Sequence, residues 1–289
     1  MDRTKIVACL SAALAAASCA APPHIVVGSK NFTEQVILGE ILAQQIERRL
    51  AVRVERRLNL GGTLLAHEAL VGGSIDLYPE YTGTALMAVL KRPPAADAAT
   101  VLADVRTAYH AQWKLAWLAP LGFDNTFAMI VRGDAARANH LTTLSDAARA
   151  GPWHLGVGYE FAARPDGLQG LLKAYGLHSA GDPVTMDLGL LYSALASRKV
   201  DMIAANSTDG PASVLDVTIL ADDRRYFPPY QCSVVAREQT LARFPALRAA
   251  IEELSGKLNA ATMRRLNQFV DGEHRPTAQV AGEFLEKMR

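Results

Sequence analysis

The sequence predicts an α/β protein folded as two lobes around a cleft, and three observations lead there. Short apolar runs suited to buried strands alternate with helix-period stretches along the 289-residue chain. The segment Ala69-Leu70-Val71-Gly72-Gly73-Ser74-Ile75-Asp76 is echoed at Ala194-Leu195-Ala196-Ser197-Arg198-Lys199-Val200-Asp201, with Ala-Leu and then Ile/Val-Asp at the same spacing. Each copy leads into an unusual polar loop, Tyr78-Pro79-Glu80-Tyr81-Thr82-Gly83-Thr84 and Asn206-Ser207-Thr208-Asp209-Gly210. Two similar lobes, each offering a loop at a strand's C-terminal end, face one another across a cleft, and open α/β sheets hold ligands at such ends.

The first residues stand outside that fold. Asp2-Arg3-Thr4-Lys5 is a basic flank, Ile6 to Ala17 is small and apolar, and Ser18-Cys19-Ala20 follows, which is the order of a secretory signal. The apolar run falls short of the roughly 20 residues a membrane helix needs. Cleavage before Cys19 with lipid on its sulfur is the sharper expectation, although Ala16 stands where Leu is usual; ordinary cleavage between Ala17 and Ala21 is the alternative. Residues 1–23 are thus expected to be signal and spacer, and the protein periplasmic or otherwise extracytoplasmic, tethered at the membrane through Cys19.

With 50% hydrophobic and 20% charged residues, the remainder has material for one large or two modest cores. Loss of the signal removes Cys9 and occupies Cys19, so Cys232 alone remains in the body and no internal disulfide is expected. Cleavage before Cys19 also leaves 28 basic and 28 acidic residues, and no Lys/Arg-rich run, which argues against a nucleic-acid partner.

Taken in order, Ile25-Val26-Val27 is a buried strand, Gly28-Ser29-Lys30 a loop, and a helix starts with Thr33 as its cap, with Glu34 and Gln35 in its first turn. Val36, Ile37, Ile41, Leu42 and Ile46 give that helix an apolar stripe. Val52 and Val54 alternate with Arg53 and Glu55 as in a strand, and further strands are expected at Ile75–Tyr78, Phe127–Val131, Leu155–Val157, Met202–Ala205 and Val234–Ala236. Such alternation predicts mostly parallel strands. Three helical segments after Ala236 return to the first lobe. Crossovers near Gly122–Asn125 and Asp223–Phe227 then divide the chain into residues 24–124 plus 228–289 and residues 125–227.

Aromatic residues are only 7% of the chain but gather near these turns: Tyr78, Tyr81, Phe123, Phe127, Tyr226, Phe227 and Tyr230, beside Lys30, Thr84, Asn125 and Asp209. Aromatic faces attract a cation that cannot donate hydrogen bonds, such as a quaternary ammonium group, and Lys or Arg opposite would meet a carboxylate. Phe123, Tyr226 and Phe227 read as core filler, whereas Tyr81, between Glu80 and Thr82, is expected to reach the cleft.

Further markers run in order along residues 25–288: Gly28-Ser29-Lys30-Asn31-Phe32-Thr33-Glu34-Gln35, Leu60-Gly61-Gly62-Thr63, Asp76 through Thr84, Pro120-Leu121-Gly122-Phe123-Asp124-Asn125-Thr126-Phe127, Arg164-Pro165-Asp166-Gly167, Ser207-Thr208-Asp209-Gly210 and Phe227-Pro228-Pro229-Tyr230. In these the chain resembles the glycine betaine/choline/carnitine (osmoprotectant) substrate-binding proteins of ABC importers. The resemblance implies a type II periplasmic-binding-protein fold with the ligand in a cleft between lobes, an ABC permease and an ATPase as partners, and neither cofactor nor metal. It implies Tyr81 and Tyr230 for a cage around the ammonium group, Lys30, Thr84 and Arg164 for a carboxylate, and Asn125 and Thr63 as further lining. Phe127 stands where the family usually has Tyr, keeping the ring but losing a hydroxyl. Asn206 stands where Tyr is common, which removes an aromatic wall and opens the alternative of a more polar zwitterion, ergothioneine-like or amino-acid-like. A sensing module with the same cleft is a further alternative. An exported enzyme finds little support: no Gly-x-Ser-x-Gly elbow, Walker loop or His-Glu-x-x-His pattern is present, and the seven histidines never fall at metal-ligand spacing.

Overall fold

The computed structural model describes residues 24–288; the signal segment and Cys19 lie outside the described residues. Ten strands form two five-stranded sheets. The first holds β1 (Ile25–Gly28), β2 (Val54–Arg57), β3 (Leu77–Tyr81), β4 (Leu115–Trp117) and β10 (Cys232–Arg237), in the order β2-β1-β3-β10-β4. The second holds β5 (Phe127–Arg132), β6 (Leu155–Gly158), β7 (Val184–Met186), β8 (Met202–Asn206) and β9 (Val217–Ile219), in the order β7-β6-β8-β5-β9. The two orders are the same pattern, and this is the two-lobed α/β architecture.

Half of the ladders are antiparallel, against the expectation of a mostly parallel sheet. In each sheet four strands share a direction and one opposes them: β10 runs antiparallel to β3 and β4, and β5 runs antiparallel to β8 and β9. Both reversed strands begin where the chain arrives from the other sheet. The two connections run side by side there, with Asp124 bridged to Gln231 and the Asn125 N–H donating to the Tyr230 carbonyl at 3.1 Å.

The sequence echo is a structural one. Ser74 and Ile75 N–H groups both donate to the Ala69 carbonyl, and Lys199 and Val200 both donate to that of Ala194. Asp76 accepts from the Val26 backbone N–H at 2.8 Å while Asp201 accepts from that of His154 at 3.4 Å, each tying the turn to the neighbouring strand. Arg237 and Arg132, which end the two reversed strands, donate to the Leu70 and Leu195 carbonyls, both at 3.3 Å. β3 and β8, which follow the two copies, hold the same place in their sheets.

Several element bounds differ from the sequence reading. Helix α1 (Thr33–Leu50) is capped by Phe32 without a side-chain bond; the Thr33 hydroxyl donates to Asp271 instead, at 2.5 Å. β2 starts at Val54, later than the alternation at Val52 suggested. β3 extends to Tyr81, so the segment read as a polar loop is a buried strand in which Tyr78 and Glu80 are fully enclosed. The short strands β4, β7 and β9 were not anticipated: β7 and β9 carry no apolar run long enough to be read, whereas Leu115-Ala116-Trp117-Leu118-Ala119, closed by Pro120, was a signal passed over. Four helices follow β10, Glu238–Arg243, Leu247–Glu252, Ala260–Asp271 and Thr277–Lys287, where three were expected. Ile37, Ile41 and Ile46 of α1 pack with Leu247, Ile251, Met263 and Leu285 from three of them in one core; Met129, Val131, Val157, Phe161 and Met202 anchor a separate core on the second sheet.

Candidate functional site

A cavity of about 200 Å³ lies between the sheets, and all nine residues singled out from the sequence line it. Lys30 follows β1, Tyr81 and Thr84 close β3 and the turn after it, and Thr63 opens helix α2 (Thr63–Val71). Asn125 and Tyr230 sit on the paired connections. Phe127 begins β5, Arg164 ends the short helix Tyr159–Ala163, and Asn206 ends β8. Gly83 is required by this crowding, since a Cβ there would stand 2.7 Å from both the Pro229 carbonyl and the Tyr230 ring.

The two cations are each held by a carboxylate. Lys30 Nζ donates to Glu80 at 2.5 Å and to Thr63 Oγ1 at 3.1 Å, with the Tyr78 hydroxyl donating to the second Glu80 oxygen at 2.9 Å. Arg164 grips Asp166 through Nε at 2.8 Å and Nη2 at 2.5 Å, reaches Thr84 through Nη1 at 3.3 Å, and shares Asp166 with the Tyr230 hydroxyl at 2.5 Å. The guanidinium lies 5.0 Å from the Phe127 ring centre and the Lys30 ammonium 5.3 Å from that of Tyr81. Burial, reinforced by Asp166, holds the Tyr230 hydroxyl well above its ordinary pKa, so it stays a donor.

Tyr81 is only 4% exposed and its hydroxyl is spent inward, on Glu34 at 2.6 Å. Glu34 accepts four hydrogen bonds in all, adding Asn125 at 2.8 Å, Thr208 at 2.5 Å and Asn267 at 3.2 Å. It therefore ties α1 and β3 to the connecting segment and to the loop after β8. No Lys or Arg pairs with it among the described residues; desolvation raises its pKa while the four donors oppose the rise. Sequence reasoning placed Glu34 in the first turn of the helix and gave it no role in the site. Its spacing from Ile37, Leu38 and Ile41 puts it on the buried stripe, which was the available signal.

Glu160 was also missed. Its carboxylate accepts from the Thr63 N–H at 2.5 Å and from Thr63 Oγ1 at 3.1 Å, joining the second lobe to the start of α2. Its position four residues before Arg164, across one short helix and its cap, places both side chains toward the same space. Phe161, Asp187 and Leu188 complete the second-lobe wall. Of the remaining aromatics, Phe123 is core, Phe227 lies tilted against Phe127 and Phe161, and Tyr226 packs edge-on to Phe227; none of the three lines the cavity. Cys232 is buried in β10 and does not line it either.

Against known proteins, the family described as the substrate binding domain of an ABC-type glycine betaine transport system matches residues 23–287. The chain belongs to that family. Within it, a glycine-betaine-binding protein of Pseudomonas aeruginosa is 36% identical over 291 residues, covering 96% of this chain and 93% of the relative. An ergothioneine transport permease/ergothioneine binding protein of Helicobacter pylori is 34% identical over 266 residues; the match takes in 91% of this chain and only 47% of that longer relative. A crystal structure of a glycine betaine/carnitine/choline ABC transporter protein superposes with a TM-score of 0.77 at 32% identity, covering 91% of this chain and 98% of the other. The Helicobacter pylori relative and the solved structure carry transport names, and the Pseudomonas aeruginosa relative is named for binding glycine betaine. Among the described residues no helix is long and apolar enough to cross a membrane, and no three His, Cys, Asp or Glu side chains group as a metal site.

Proposed function

We propose that the chain is the extracytoplasmic ligand-capturing subunit of an ABC importer for a quaternary ammonium osmoprotectant of the glycine betaine, choline or carnitine type. The observation that carries this reading is one cavity that combines aromatic rings with cationic donors: Tyr81, Phe127 and Tyr230 beside Lys30 and Arg164. The rings offer π faces to a trimethylammonium group that needs no hydrogen-bond acceptor. Lys30 and Arg164 retain N–H donors beyond those used on Glu80, Thr63, Asp166 and Thr84, and these suit a ligand carboxylate. Phe127 and Arg164 belong to one side of the cleft and Lys30, Thr63, Tyr81 and Thr84 to the other. A bridging ligand favours the closed arrangement by its differential affinity, and the closed form docks on the permease while ATP is hydrolysed by a separate subunit. In this reading residues 24–124 with 228–289 move against 125–227, and the mature protein is periplasmic, held to the membrane through lipid on Cys19.

An ergothioneine-like ligand is the second reading, favoured by Asn206, a hydrogen-bonding side chain in the cavity wall. Calorimetric titration of signal-free protein with glycine betaine, choline, carnitine and ergothioneine, with a neutral amino acid as control, decides between them. Micromolar binding of glycine betaine, choline or carnitine, weakened about two- to thirty-fold in Phe127→Leu, is the expected result. Failure of glycine betaine, choline and carnitine alike to bind overturns the proposal, and binding of ergothioneine in their place selects the second reading.

A further inference from the structure

The binding cavity does not end at Asn206. A second, larger chamber of about 530 Å³ adjoins it, and the two share Asn31, Phe32, Asp187, Leu188 and Asn206 as lining. The charged lining of this chamber is wholly acidic: Glu34 at its buried end, Asp209 half-buried, and Asp187 and Asp271 toward solvent. None of these four carboxylates forms an ion pair with Lys or Arg among the described residues. Their partners are neutral: the Asn206 N–H and the Tyr192 hydroxyl for Asp209, the Thr33 hydroxyl for Asp271, and the Gly189 N–H for Asp187. Asn267, only 2% exposed, also lines the chamber, with its amide nitrogen committed to Glu34 and the Thr208 carbonyl and its Oδ1 accepting nothing. A buried acceptor left open beside unpaired carboxylates is a receptor for donors, because an unsatisfied buried polar atom is unfavourable until a partner arrives.

We infer that this acidic chamber is a subsite for a second, cationic group on the ligand, so that the protein prefers a quaternary ammonium compound whose other end carries a protonated amine. This rests on the proposed quaternary ammonium function and extends it. The trimethylammonium head stays among Tyr81, Phe127 and Tyr230, and the chain passes Asn206 to bring its ammonium hydrogens to Asp209, Asp187 and the Asn267 oxygen. Placing one positive charge among unpaired carboxylates lessens their mutual repulsion as well as forming charge-assisted hydrogen bonds. Burial holds Asp209 up at about 7, which agrees with a carboxyl group crowded by other acids and lacking a cation of its own.

The test compares two probes that differ in one group, (3-aminopropyl)trimethylammonium and propyltrimethylammonium, each titrated calorimetrically beside choline and glycine betaine. The amine probe is expected to bind about tenfold more tightly than the propyl probe. That advantage is expected to vanish in Asp209→Asn and to shrink in Asp187→Asn, a surface change that leaves the fold alone. Equal binding of the two probes, an advantage that survives both substitutions, or rejection of both probes by a protein that binds choline overturns the subsite. Rejection of all four compounds overturns the quaternary ammonium reading itself and the subsite with it.

Discussion

Asp76 and Asp201 close matching turns with matching backbone bonds, yet the strands they introduce, β3 and β8, finish in unlike chemistry. β3 runs into Glu80, Tyr81 and Thr82, all buried, with the Glu80 carboxylate locked on Lys30. β8 runs into Asn206 and Asp209, which bond mainly to each other and stay partly open to the acidic chamber. One lobe thus carries a charge pair satisfied from within, and the other carries polar groups with capacity to spare. A repeated scaffold fixes where a loop stands and leaves its chemistry free to diverge.

Substitutions can break that contrast. The largest effect is expected for Lys30→Met, which abandons Glu80 without a countercharge; breaking a buried pair this way costs about 3–5 kcal/mol, read from denaturant unfolding. A loss below about 1 kcal/mol would mean that the pair is solvated and that the two lobes differ little in this respect. Next is Glu34→Gln, which turns one of its two oxygens, and with it two of the four accepted hydrogen bonds, into a donor facing donors and is expected to remove about 1–3 kcal/mol of stability. The same substitution weakens ligand binding, because Tyr81, Asn125 and Thr208 lose their common anchor; unchanged affinity would make Glu34 merely structural.

Asp209 sharpens the comparison through pH. Its folded value is about 7 against an ordinary 3.8, so the folded state holds the proton more tightly and stability falls as pH rises between those values. The contribution is fully present below about pH 4 and is lost by about pH 7, with a slope of at most about 1.4 kcal/mol per pH unit for one proton. Asp209→Asn is expected to flatten that stretch in melts taken across it, and an unaltered profile would refute the assignment. The smallest effect belongs to Glu160→Gln: its exposed side chain gives up one charge-assisted contact to Thr63, and affinity is expected to fall about two- to fivefold. Small-angle scattering should show a slightly less compact molecule; equal dimensions would mean that this contact does not hold the cleft.

Much of this architecture is legible in the amino-acid sequence. Strand runs and the Ala69–Asp76 echo are sufficient for two α/β lobes, and the family resemblance carried by the ordered motifs supplies nine residues that the fold brings to one cavity. What escapes is whatever depends on partners distant in sequence. Tyr81 looks exposed because its neighbours Glu80 and Thr82 are polar, and only Lys30, 50 residues before Glu80, makes that strand buriable. The reversal of β5 and β10 is a property of the connections, on which apolar periodicity is silent. Glu160 meets Thr63 across 97 residues, a pairing no local pattern encodes.

Strand order also governs how the chain acquires its fold. Every strand of the second sheet lies within one uninterrupted stretch, Phe127 to Ile219, whereas β10 is inserted between β3 and β4 and joins strands that precede it by well over a hundred residues. Closing so long a loop is entropically dearer than pairing near neighbours. The half of the molecule that comes first along the chain is therefore the half whose completion needs the longer closure, its edge at β3 left open until β10, a strand that follows the whole of the other sheet in sequence, pairs with it.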